Sequence, residues 1–116
     1  MSKEDGILDL ILTHEWFDKI KNGKKKVEYR RQSAWINKIY NRYKGYKTVY
    51  ENTPAVSCVR LSRGYSRTEQ MLFKIKKIEL LKTGIKTDLK TDEPTYAIYL
   101  GKLLKYAQFF SKSEES

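Results

Sequence analysis

The apolar residues fall into short runs, each no longer than one strand: "ILDLILT" at 7–13, "AVSCVRLS" at 55–62, "MLFKIKKIELL" at 71–81 and "TYAIYLG" at 95–101. Apolar stretches of this length with period-two alternation are what a half-buried sheet requires. None approaches the roughly 20 consecutive apolar residues needed to span a bilayer. The first run offers Ile7, Leu10 and Leu12 to a core, and the third offers Met71, Phe73 and Ile75. The alternation in the third run changes phase near Lys76 and Lys77, as a β-bulge would cause. A fifth strand is expected in "KKKVEYR", where Lys24, Lys26, Glu28 and Arg30 alternate with Lys25, Val27 and Tyr29, leaving one face mostly charged.

Helical spacing appears twice early in the chain. Thr13 is placed to cap a short helix, Glu15 suits the positive end of its dipole, and Trp16, Phe17 and Ile20 form an apolar stripe. Asn22 and Gly23 end it, glycine taking the left-handed conformation at little cost. Ser33 is placed to cap a second helix through about residue 44, with Trp35, Ile36, Ile39, Tyr40 and Tyr43 inward. Leu103, Leu104, Ala107 and Phe110 suggest a terminal helix packed back on the sheet. Five strands with two to three flanking helices give an α+β class, expected as a small mixed, partly closed β-barrel. Residues 7–110 read as one domain, between polar tails at 1–6 and 111–116.

The formal net charge is +10, and its distribution is uneven. Residues 19–67 hold 14 Lys and Arg against two acids, Glu28 and Glu51, whereas the rest of the chain holds 10 against 12. Such asymmetry steers a protein toward phosphate backbones or other anionic surfaces. The acidic start "MSKEDGILDL" does not read as a signal peptide, and the lone Cys58 suits a reducing cytoplasm. A membrane partner is not expected, because the 33–44 helix is only moderately amphipathic. With one histidine, His14, and one cysteine, a zinc site of the usual Cys/His composition cannot be built. No phosphate-cradling glycine loop appears, so no metal or cofactor is expected.

Two constellations remain. In "GKKKVEYRR", Lys24, Lys26, Arg30 and Arg31 can meet phosphate, while Lys25 and Glu28 can read or act on the polar edge of a base. The alternative is that the lysines solvate a turn and that Glu28 and Arg30 pair across the sheet. In "VRLSRGYSR", Arg60, Arg63 and Arg67 carry charge without an intervening acid, Gly64 permits a sharp turn, and Tyr65 offers a stacking face. The alternative there is a β-turn with Tyr65 folded onto the core.

The stretch "LTHEWFDKIKNGKKKVEYR" resembles the opening motif of the ASCH family, relatives of the PUA RNA-binding domain. Gly23, Lys25, Glu28 and Arg30 match its G-x-K-x-x-[E/T]-x-R pattern. "VRLSRGYSR", "FKIKKIELL" and "YAIYLGKLL" also resemble small bacterial and phage-type members, so the likeness covers roughly residues 8–104. It implies a β-barrel, a cleft between barrel and helices, and a nucleic-acid or nucleoside ligand. Some members are acetylcytidine amidohydrolases that use a lysine and a threonine of this motif with a downstream glutamate; others are ribonucleases or binding modules. Lys25 holds the lysine position and Glu79 is a possible downstream carboxylate. Glu28 replaces the threonine, however, and a carboxylate cannot serve as a hydroxyl nucleophile. The expectation is therefore a module for RNA or single-stranded nucleic acid, or for a nucleoside. The alternatives are a hydrolase using Lys25, Glu28 and Glu79, and a protein-interaction module using the basic face.

Overall fold

Leu8, Leu10 and Leu12 alternate inward along β1 (Ile7–Leu12) and are buried, while Ile7, expected in the core set, is only half-buried. The computed structural model describes residues 6–39 and 56–109. After β1, the Thr13 hydroxyl accepts from the Trp16 amide at 3.4 Å and starts α1 (His14–Lys21), whose Phe17 and Ile20 are buried. Asn22 closes the helix, and Gly23 follows at φ +81°. β2 (Val27–Arg31) passes directly into α2 (Gln32–Ile39), the Gln32 amide donating to Pro94 O at 3.0 Å. Ser33 therefore lies in the first turn of α2 instead of capping it, and its hydroxyl bonds Glu93 at 3.3 Å. Ile39 is fully buried, with Trp35 and Ile36 packed against the core. Tyr40, Tyr43 and the rest of that expected helix lie outside the described residues, as do the expected tails apart from Gly6.

β3 (Cys58–Arg63), β4 (Glu69–Leu81) and β5 (Thr95–Gln108) complete a five-stranded mixed sheet of order β1-β3-β4-β5-β2. Only β1 and β3 run parallel, with Leu10 opposite Leu61; the other neighbours are antiparallel. The register shifts between Leu72 and Lys77 match the phase change in the sequence. Residues 95–99 of β5 pair with β2, whereas Leu103 and residues 105–108 pair with β4 alone among the described residues. The core is formed by Leu8, Leu10, Leu12, Phe17, Leu61, Met71, Tyr96 and Ile98 among others, each large side chain contributing on the order of 1.5–3 kcal/mol.

Two expectations are overturned. The segment containing Leu103, Leu104 and Ala107 is not a helix but the second half of β5, with Phe73 opposite Leu103 and Met71 opposite Tyr106. A long-range ladder overrides a weak local helical spacing. The sheet is also open, not a β-barrel: β1 and β2 are its two edges, and no backbone ladder joins them among the described residues. It nonetheless curls. Flat, the edge strands would lie about 19 Å apart, at about 4.8 Å per gap, beyond the reach of an arginine, yet Arg30 Nη2 on β2 donates to Ile11 O on β1 at 3.4 Å. The seam stays open because the inward-facing residues of short β2 are Glu28 and Arg30, whose charges need partners that an apolar barrel interior does not provide. No helix among the described residues is long and apolar enough to cross a membrane.

Ionic contacts fasten α1 to the sheet. Arg63 grips Asp18 with two hydrogen bonds of 3.0 and 3.1 Å, and Lys21 meets both Glu69 and the Tyr106 hydroxyl. The Arg63 hydrogen bonds hold the Asp18 carboxyl below its ordinary value, and those from Lys21 and then Tyr106 do the same for Glu69. Their contribution is present above the ordinary carboxylate range and is lost as pH falls through the lowered values. Below about pH 4 the wild-type urea midpoint is expected to drop more steeply than that of the Asp18→Asn/Glu69→Gln variant. Parallel curves would show that these carboxylates do not anchor the helix.

Candidate functional site

Backbone hydrogen bonds from Lys24 and Lys25 to Lys19 O, at 2.8 and 3.1 Å, tighten the turn after α1 and bring Lys25 to the start of β2. Its ammonium has three donors, and three acceptors take them: Val27 O, Glu28 Oε1 at 2.8 Å and Asp88 Oδ2 at 3.0 Å. The second oxygen of Glu28 receives Arg30 Nη2 at 2.7 Å. Glu28 is 7 % exposed, so its charge is tolerated because both oxygens have cationic partners. Trp16 and Tyr29 flank Lys25, with ring centroids at 5.6 and 5.4 Å, and Trp35 faces the Arg30 guanidinium at 5.3 Å. Arg30 Nε is buried without a hydrogen-bond partner among the described residues.

Lys25, Glu28 and Arg30 are thus brought together, and they pair within one strand and its preceding turn instead of across the sheet. Asp88 was not foreseen. It lies 60 residues beyond Glu28 in a charged loop whose local pattern gives no cue. Glu79 does not join the group. It shares a cross-strand row with Ala97 and Tyr29, one residue out of phase with the row of Glu28, Ile98 and Ile78, and so projects from the opposite face. Tyr99 donates to it at 2.9 Å, a bond that raises the Tyr99 phenol. The three groups of the hydrolase alternative are therefore not assembled.

The loop between β3 and β4 carries the second constellation. Gly64 has φ +68°, so the turn favours glycine, and a Cβ there would also press on the exposed His14 ring, with Nε2 at 2.9 Å. Arg67 adopts φ +54°, an uncommon conformation for a residue with a side chain. Tyr65 is 89 % exposed and is not folded onto the core. Tyr65 and Arg67 line a cavity of about 350 Å³ together with Trp35, Lys38 and Arg30.

The cations differ in how far they are engaged. Arg60 is held by Asp9 at 2.6 and 3.1 Å, Arg63 by Asp18, and Arg31 by Glu93 at 3.6 Å. All three acids come from outside the 19–67 segment, so the basic excess of the sequence is partly neutralised in space. Lys24, Lys26, Lys38 and Arg67 have no ion pair among the described residues, and no cluster of metal-ligating residues occurs among them. Lys38 was not a sequence candidate; its place one helical turn after Trp35 in the basic segment was the available signal.

Removing one member of the Glu28 cluster strands two cations. Lys25 and Arg30 keep 11 % and 20 % of their side-chain surface exposed, so water can reach them in part. Glu28→Ala should therefore cost about 2 kcal/mol, below the full penalty for a broken buried pair, and Glu28→Gln less. A urea midpoint unchanged in Glu28→Ala would show that the cluster does not hold β2 in place.

Comparison with known proteins finds no counterpart: no family model, curated protein or solved structure matches the chain.

Proposed function

We propose that the chain is a binding module for single-stranded nucleic acid, RNA included. The observation that carries this reading is the 350 Å³ cavity, where the exposed ring of Tyr65 and the indole of Trp35 stand beside Arg30, Lys38 and Arg67. An aromatic face beside Lys38 and Arg67, which have no ion pair among the described residues, suits an unpaired base and its phosphate, because stacking accepts any base while charge holds the backbone. The buried, unpaired Nε of Arg30 is a donor that an entering ligand oxygen could satisfy. Glu28 retains acceptor capacity for a base amino group, since a carboxylate offers about four lone-pair sites and its two oxygens receive one cation each. Arg60 and Arg63, held by Asp9 and Asp18, have a structural part in this scheme, and phosphate contact falls to Arg67 and Lys38.

Fluorescence anisotropy with labelled single-stranded RNA and DNA over a salt series tests the reading. Tyr65→Ala should weaken binding by about 1–3 kcal/mol for the base stacked there, roughly 5- to 150-fold in Kd. Arg67→Ala should lower the salt slope by about 0.7, while Arg63→Ala should lower stability and leave the slope unchanged. Absence of binding at low salt, or full affinity in Tyr65→Ala, would overturn the proposal.

A further inference from the structure

Three cavities that share walls run from the β1–β2 seam to the groove between α1 and β2. The 350 Å³ cavity at the Tyr65 end shares Ile11 and Arg30 with a central one of about 140 Å³ that contains Glu28. The central cavity shares Trp16, Tyr29 and Asp88 with a third, of about 340 Å³, at the other end. Four lysines, Lys19, Lys24, Lys25 and Lys26, line this third cavity. Its one acid is Asp88, already tied to Lys25.

The two ends offer different chemistry. At the first, Tyr65 is a bare aromatic face, while Trp35 carries Arg30 at 5.3 Å and Lys38 at 4.7 Å. At the third, the rings already carry cations, with Lys19 over Trp16 at 4.5 Å and Lys25 over Tyr29 at 5.4 Å. That end presents positive charge, with Lys24 and Lys26 exposed and without ion pairs among the described residues. In the centre, Glu28 and Asp88 are paired with Arg30 and Lys25, so that stretch draws phosphate less than either end and keeps carboxylate acceptor sites for a base edge. Lys26 and Arg30 are four residues apart, about 13 Å at 3.3 Å per strand residue. At the 3.4 Å rise of a stacked strand that is about four nucleotide steps, and fewer if the strand is extended.

We infer that the lysine-lined cavity is a second subsite, for the phosphates of the same strand whose base stacks on Tyr65. The ligand is then an oligonucleotide laid along the seam and held at both ends, and a nucleoside or mononucleotide fills only the first. This inference rests on the function proposed above.

The test compares oligouridylates of two and eight nucleotides by anisotropy, using wild type, Lys24→Ala/Lys26→Ala and Tyr65→Ala. Wild type should bind the octamer at least tenfold more tightly than the dimer. The double lysine variant, altered only at exposed positions, should lose about tenfold on the octamer, with a salt slope lower by about 1.4 for two lost contacts, and keep its dimer affinity. Tyr65→Ala should weaken both. If the lysine variant keeps octamer affinity and slope while Tyr65→Ala weakens binding, the second subsite is wrong and the binding module stands. If the wild type binds neither oligonucleotide at low salt, both fall. A matching urea midpoint for the lysine variant and wild type ensures that the loss is one of contact; Lys24→Glu/Lys26→Glu should deepen it.

Discussion

The guanidinium of Arg30 spans the seam, and the arrangement of the molecule depends on it. From one edge strand it reaches a backbone carbonyl on the other, and it also neutralises Glu28, which in turn orients Lys25. An apolar side chain in its place could fill space but could not bridge two unpaired edges. A lysine would supply charge without the planar, multi-donor geometry that lets one group serve Ile11, Glu28 and the face of Trp35 together. The burial of a carboxylate and the wall shared by two of the cavities follow from that one set of contacts.

Charge placement along the chain proved a poor guide to charge placement in space. Asp9, Asp18 and Glu69 come from parts of the chain that look balanced or acidic, and they fold against Arg60, Arg63 and Lys21. Of the described cations in the 19–67 segment, those left without an ion pair are Lys24, Lys26, Lys38 and Arg67, distributed between the two ends of the seam. Exposed ion pairs of this kind add little stability individually. They decide which cations remain for a partner.

How much was legible from residue order follows from the range of the interactions involved. The cap at Thr13, the stop at Gly23, the bulge in β4 and the turn at Gly64 are local and could be read from a few neighbouring residues. The nearness of Glu28 and Arg30 was visible in the spacing, whereas strand alternation put Lys25 on the other face and only the motif resemblance grouped it with them. The strand character of residues 103–107 was not, because it depends on Leu72 and Phe73, about 30 residues earlier, whose ladder outweighs a local helical pattern. Nor could spacing reveal that the sheet stops short of closure, since that depends on two edge strands that never pair. Asp88 and the misplacement of Glu79 have the same origin: each depends on which face of a strand or loop turns toward a site built elsewhere.

The unshared half of β5 has a consequence for the molecule's behaviour among its own copies. Among the described residues, Leu103 and residues 105–108 pair with β4 on one side only, and Leu103, Leu104 and Tyr106 are all exposed. Such a margin would invite a neighbouring chain to add a strand, the first step toward amyloid-like stacking. Lys102 and Lys105 interrupt the apolar sequence, so an approaching copy would bring ammonium groups together as it docked. The two lysines act there as gatekeepers against self-association.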